Sequence, residues 1–299
     1  VSADAWRCSL HGGHSGEFCD HAQGTLAEVV AAAAAAGLAS FGLSEHAPRL
    51  RVLDLYPAEL AMGWDLDTLQ RLFGRYAAES RRLQQLWAGR LTLLRGFESE
   101  VVPTDRWLEV ARGWRRLHGF QFVVGSVHHV RDVIIDLSPE LLLRAAEACG
   151  GLEALVVEYY GSVADMATRL RPEVVGHLDL PRRHAEAIGM PDTPATRAAE
   201  AGALEAIRDA GCILDLNTAA WRKGLSGPYP APRLVQQAHA LGIGFCFGDD
   251  SHAPEQVGLG LDRGRDYLLG CGVGSITTLV PATDDIAGPL EPRVISLDG

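Results

Sequence analysis

A single lysine, Lys223, stands among 299 residues, and lysine plus arginine (27) fall short of aspartate plus glutamate (38), giving a formal net charge of −11. That balance argues against a general nucleic-acid binder, which needs a basic face to neutralise phosphates. No apolar run reaches the roughly 18 residues of a membrane-spanning helix. The alanine run Ala31 to Ala36 sits inside an amphipathic helix and is too short to span. No C-x-x-C pair occurs among the six cysteines, Cys8, Cys19, Cys149, Cys212, Cys246 and Cys271. Widely spaced thiols in apolar contexts read as free thiols of a reducing compartment, so a cytoplasmic setting is expected. The opening VSADAWRCSL lacks a basic start followed by an apolar stretch and is not read as a secretory signal. Its Val1, where Met is expected, reads as a trimmed or processed start.

What is present is a globular composition, 47% hydrophobic and 22% charged. The length suits two average domains or one α/β barrel of roughly 250 residues. Short apolar strands alternate with longer amphipathic helices. Strands are expected at Ala39–Leu43, Leu91–Phe97, Phe120–Val127, Val174–Leu178, Cys212–Leu216, Ile243–Phe247 and near Ser275–Leu279. Helices are expected at Thr25–Ala36, Asp67–Ala88, Trp107–Leu117, Pro139–Cys149, Leu152–Leu170, Pro194–Ala210, Pro232–Leu241 and Asp262–Leu269. Repeated strand–helix units imply a parallel sheet covered by helices, and about seven units favour a closed or nearly closed barrel. No repeat or low-complexity linker divides the chain, so a single domain over residues 1–299 is expected.

The eleven histidines are unevenly placed. His11, His14 and His21 open the chain. His46, His128 and His252 each follow a strand, His177 lies at the end of one, and Glu98 ends another. In a barrel the strand C-termini share one rim, where active sites form. Imidazole and carboxylate suit borderline divalent ions such as zinc, manganese and iron, and about nine donors suit two or three ions sharing carboxylates.

The segments HSGEFCDHAQGTLAEVV, FGLSEHAP, GFESE, FVVGSVHH, VVGHLDLPRR, LDLNTAAWRKGL and FGDDSHAPEQVG occur in this order. Together they resemble the histidinol-phosphate phosphatases of the polymerase-and-histidinol-phosphatase (PHP) superfamily, from about Cys8 to about Gly272. The resemblance implies an α/β fold, a distorted (β/α)7 TIM-like barrel with a trinuclear metal centre at its rim. It implies metal ligands His11, His14, His21, His46, Glu98, His128, His177, Asp250 and His252. One ion takes the opening pair with Glu98 and Asp250, a second shares Glu98 with His128 and His177, and a third uses His21, His46 and His252. The opening motif reads H-G-G-H, one residue longer than the usual form, and Gly12 and Gly13 offer the flexibility for both histidines to reach. The second motif reads S-E-H, with Glu45 in place of the usual Asp. The last reads D-D-S-H, adding Asp249 with no assigned role.

The implied activity is metal-dependent hydrolysis of a phosphomonoester, L-histidinol phosphate in histidine biosynthesis, through water activated between ions bridged by Glu98. Arg182, Arg183, Arg222 and Lys223 are candidates to bind the phosphate. Asp179 and Asp20 are candidates either to protonate the leaving alkoxide or to orient a ligand histidine. Trp221 is a candidate wall of the substrate pocket. His129 should point away from the ligand set, and His118, His184 and His239 should lie at the surface. The alternatives are the same chemistry on another small phosphorylated metabolite or on nucleotide ends, and a degenerate metal-binding scaffold. Neither a nucleic acid nor a membrane partner is expected.

Overall fold

Seven short parallel strands wrap into a nearly closed barrel in the computed structural model, which describes residues 5–298. In chain order these are β1 (Cys8–Ser9), β2 (Ser40–Leu43), β3 (Thr92–Glu100) and β4 (Phe122–Ser126), then, after a small antiparallel hairpin of β5 (His129–Val130) and β6 (Val133–Ile134), β7 (Val174–Val175), β8 (Ile213–Asn217) and β9 (Phe245–Gly248). The order β1-β2-β3-β4-β7-β8-β9 is the chain order of parallel neighbours. Closure comes from Leu10 N donating to Phe247 O at 2.8 Å and a parallel bridge between His11 and Gly248. The expected barrel of seven strands is therefore present. Several strands are shorter than expected, because the chain leaves the sheet early to form rim loops.

Alternation along β3 shows how the sequence builds two cores. Leu93 and Phe97 pack outward among the helices, whereas Leu94 faces inward with Leu10, Phe122, Val124, Val174, Ile213 and Cys246. Farther up the inward face of β3 the pattern turns polar, to Glu98 and Glu100. The interior is thus apolar at the strand N-termini and polar at the C-termini. Inward space is tight: a Cβ at Gly96 would lie 2.5 Å from the Phe122 ring.

Local signals set the helices. Thr25 caps the helix Leu26–Ala35, its side chain accepting from Glu28 N while Glu28 Oε2 accepts from Thr25 N at 2.7 Å. Gly119, at φ 62°, ends the helix Trp107–His118 in the left-handed conformation that glycine adopts freely.

Beyond the barrel, the expected strand near Ser275–Leu279 is one arm of an antiparallel hairpin, β10 (Ser275–Pro281) with β11 (Leu290–Ser296). This hairpin closes the barrel floor. Leu279 joins the interior apolar cluster, with Leu290 against it. Ser40 and Thr278 hydroxyls meet at 3.3 Å, and the buried Gln84 and Gln121 amides both donate to Ile286 O in the hairpin turn at 3.0 Å.

Candidate metal centre

The polar end of the barrel gathers all nine side chains singled out above into overlapping donor groups. His11, His14 and Glu98 form one; His14, Asp250 and His252 another; Glu98, His128 and His177 a third; His21, His46 and His252, with Cys19, a fourth. Glu98 lies at the middle. Its Oε1 is 3.4 Å from His11 Nε2, 3.3 Å from His177 Nε2 and 3.6 Å from His128 Nε2, and its Oε2 is 2.9 Å from His46 Nδ1. Neither Glu98 oxygen makes an aligned hydrogen bond, and His11 Nε2, His14 Nε2, His46 Nε2 and His252 Nε2 are buried without a partner among the described residues.

So many buried orphan donors would be severely destabilising unless something binds them. Nitrogen and oxygen ligands at about 2.0–2.1 Å from a tetrahedral ion lie about 3.3 Å apart. The separations around Glu98 Oε1 match that edge and exceed an ordinary hydrogen bond. The donor set fits divalent cations.

The imidazoles are held from behind, which frees the inward nitrogens. His11 Nδ1 lies 2.6 Å from Asp215 Oδ2, and His14 Nδ1 lies 3.1 Å from Glu45 Oε1. His252 Nδ1 lies 2.9 Å from its own loop's Asp250 O, whereas His128 Nδ1, 3.6 Å from Glu100 Oε2, is near that carboxylate without a hydrogen bond to it. Glu100 is itself anchored by Arg49 Nη1. Such backing carboxylates fix tautomer and ring orientation. Glu45, the departure from the usual Asp, therefore still backs a histidine, and it also accepts from Ser15 N and His46 N.

Two further departures are explained by geometry. Gly12 and Gly13 both take positive φ, 152° and 77°, and a Cβ at Gly12 would sit 2.1 Å from Asp249 Oδ1. The glycine pair carries the extra residue as a kink, so His11 and His14 both face the centre. Asp249 is a loop anchor, accepting from Ser251 N at 3.1 Å and Gly258 N at 2.7 Å. Two candidate ligands sit in strained backbone, His177 at φ 26° and Asp250 at φ 46°. Asp215 Oδ1 accepts from His177 N at 2.7 Å, and Arg222 Nη2 donates to Asp250 O at 3.0 Å.

Burial and mutual charge split the groups. Burial alone would raise the Glu98 carboxyl, but His11, His128 and His46 outweigh it and hold it well below its ordinary range. Asp250 is likewise depressed against its burial, by Lys223 first. His128, opposed by burial, is pushed up to about 9 by Glu100 and Glu98. His14 and His252 go the other way, through burial and their histidine neighbours. The carboxylates thus raise the rings nearest them, His11, His46 and His128, each against its burial.

A cleft of about 530 Å³ opens above these donors. Asp20, Arg183, Arg222 and Lys223 line it; Lys223 Nζ lies 2.9 Å from Asp250 Oδ2. Several sequence expectations change. Arg182 does not reach the cleft: its Nε donates to Asp179 Oδ2 at 3.0 Å, its Nη2 to Pro228 O, and its guanidinium lies over Tyr229. Asp179 is engaged with Arg182 and Ala231 N, at 2.9 Å, and anchors the Gly224–Pro232 loop instead of facing the cleft. Trp221 packs outward, against Arg263 and Tyr267, and Tyr56 takes its place as the aromatic wall. His129 turns toward Glu100, at 3.4 Å, and stacks with Tyr56. His239 is exposed, whereas His118 is half-buried against Phe73 and Trp114, and His184 reaches Asp136 O at 3.1 Å.

Asp215, Glu100, Arg49 and Tyr56 carried no assignment from sequence. Asp215 and Glu100 were within reach of it. Asp215 is the one acid in an apolar strand, and Glu100 lies two residues after Glu98, on the same strand face.

A parallel α/β barrel with a poly-histidine carboxylate centre at its C-terminal rim defines a metal-dependent hydrolase class. The chain belongs to the PHP domain family, whose profile matches residues 10–219. A protein of Schizosaccharomyces pombe named probable histidinol-phosphatase is 35% identical over 276 residues, covering 91% of this chain and 89% of its own. A probable histidinol-phosphatase of Deinococcus radiodurans is 34% identical over 242 residues, covering 81% and 85%. In fold, the chain is similar to the histidinol phosphate phosphatase of Lactococcus lactis, solved with zinc, L-histidinol and phosphate. The TM-score is 0.67 at 20% identity, covering 91% of this chain and 96% of that one. No helix among the described residues is long and apolar enough to cross a membrane.

Proposed function

We propose that this chain is a phosphoric monoester hydrolase converting L-histidinol phosphate to L-histidinol and phosphate in histidine biosynthesis. The observation that carries the chemistry is the set of buried, unpartnered imidazole and carboxylate atoms around Glu98, open to a cleft with cationic walls. The names of relatives matched along most of the chain support the substrate. We read residues 1–299 as one PHP metallophosphoesterase domain. The six free thiols fit a cytoplasmic setting.

Two to three divalent ions, zinc, manganese or iron, fit the donor groups. His11, His14, Glu98 and Asp250 would hold one, Glu98, His128 and His177 a second, and His21, His46 and His252 a third. When bound, they supply Lewis acidity to the phosphoryl oxygens and to the attacking water. The chain's own residues do the rest. Glu98 bridges donor groups and fixes their spacing. Asp215 and Glu45 hold ligand rings in one tautomer. Arg183, Arg222 and Lys223 present positive charge to a phosphate dianion on the cleft side, where Arg donors suit bidentate contact. Asp20 faces the cleft beside His21, at 3.0 Å, and is the remaining candidate to pass a proton to the leaving alkoxide.

The test is phosphate release from L-histidinol phosphate and from an aryl phosphate, with added Mn²⁺ or Zn²⁺ and with a chelator. A kcat/KM ratio of about 100-fold or more, roughly 2.7 kcal/mol of transition-state discrimination, is expected in favour of histidinol phosphate. Equal, metal-dependent rates on both would keep the chemistry and refute the substrate.

A further inference from the structure

A substrate that carries a phosphate dianion at one end and cationic nitrogen at the other needs opposite charges at the two ends of its cleft. The anionic end is accounted for by the donor groups and their flanking cations. The carboxylates lining the cleft, other than Glu98 and Asp250, are Asp20 and Asp136. Asp20 is engaged with His21. The Asp136 carboxylate makes no hydrogen bond or ion pair among the described residues, and its Oδ1 is closed off from solvent without a partner. A screened, unpaired carboxylate is costly and calls for a cationic or hydrogen-bonding guest.

Its position is fixed by the loop that carries a ligand. Ile135 N donates to His128 O at 2.9 Å, just beyond the β5–β6 hairpin, and His184 Nε2 lies 3.1 Å from Asp136 O. Tyr56, Ile134, Leu137 and Leu180 line the same cleft and supply a flat, largely apolar wall. A preorganised carboxylate on such a wall selects a compact body bearing a positive or N–H-donating nitrogen.

We propose that Asp136 is a specificity residue that receives the cationic nitrogen of the substrate and makes the cleft selective for amine-bearing phosphomonoesters. This rests on the substrate reading above. The two fail separately when wild type and Asp136→Asn are each assayed, metal-loaded, on L-histidinol phosphate and on phenylpropyl phosphate, an ester of similar length without nitrogen. For Asp136→Asn, kcat/KM on histidinol phosphate is expected to fall about 100-fold, while the nitrogen-free ester changes by less than about threefold. Metal content and inhibition by inorganic phosphate should be unchanged, and inhibition by L-histidinol should weaken. A selective wild type whose variant keeps its selectivity, or loses activity equally on both esters, overturns the role of Asp136 alone. A wild type that hydrolyses both esters equally overturns the substrate reading and this role with it.

Discussion

Asp215 shows how one unassigned side chain can set the centre. Its Oδ2 accepts from His11 Nδ1 and Asn217 Nδ2, while its Oδ1 accepts from His177 N, so it orients one candidate ligand and the strained backbone of another. Asparagine at 215 would turn one of these acceptors into a donor facing a donor. Asp215→Asn should therefore lower metal affinity about 10- to 100-fold, with activity partly recovered at high metal concentration. Titration of the metal-free variant against the wild type checks this, and equal dissociation constants would refute it. The convergence of strand-end histidines with Glu98 was legible because such side chains are chemically conspicuous, whereas the full set of nine, with Asp250, came from the resemblance. The residues behind them were not, because an acid such as Asp215 or Glu100 declares its role only through what it touches across the barrel. Arg182 and Asp179 mark the opposite failure. Their place beside GHLDL suggested substrate contact, but Asp179 Oδ2 takes Arg182 Nε and Ala231 N, and together the two residues pin a loop.

At the scale of elements, helix boundaries followed from caps and periodicity, and Pro139–Cys149, Leu152–Leu170 and Pro194–Ala210 coincide with expectation. The strands were harder. β7 is two residues long where a five-residue strand, Val174–Leu178, was expected, because the chain turns into the rim at Gly176 and His177. The floor hairpin was half legible. β10 shows alternating burial, but every residue of β11 is partly or fully exposed, so β11 carries no core pattern. Its value lies in what it holds in place: Leu279, 3% exposed, completes the interior cluster from below. Leu279→Ala should cost about 2–5 kcal/mol of stability through lost burial and a cavity. The site is at the other end of the barrel, so kcat/KM of the folded, metal-loaded variant should match wild type. Urea denaturation with parallel kinetics tests both halves; a loss of activity without a loss of stability would mean the floor communicates with the rim.

For the whole molecule, the barrel separates two jobs by height. Apolar side chains at the strand N-termini drive folding, and the C-terminal rim concentrates charge that folding alone does not favour. Glu98, Glu100, Glu45, Asp215 and Asp250 are all buried within that rim, alongside an overall charge of −11. Around them lie the imidazoles they raise, His11, His46 and His128, with Arg49 and Lys223, while His177 and Asp250 sit in strained backbone. Cations that bind only the folded chain should therefore stabilise it by mass action. One ion at a thousandfold excess over its dissociation constant contributes about 4 kcal/mol, worth about 7 °C in a chain of this size. Exhaustive chelation should lower Tm by at least that much, and readdition of zinc or manganese should restore it in steps equal to the number of sites filled. Asp215→Asn should shrink the metal-dependent part of Tm, read as the difference between loaded and chelated samples of the same variant. If chelation left Tm unmoved while removing activity, the rim would be stable without its ions, and the orphan donors around Glu98 would need another explanation. Differential scanning calorimetry with metal analysis of the same samples decides between these outcomes.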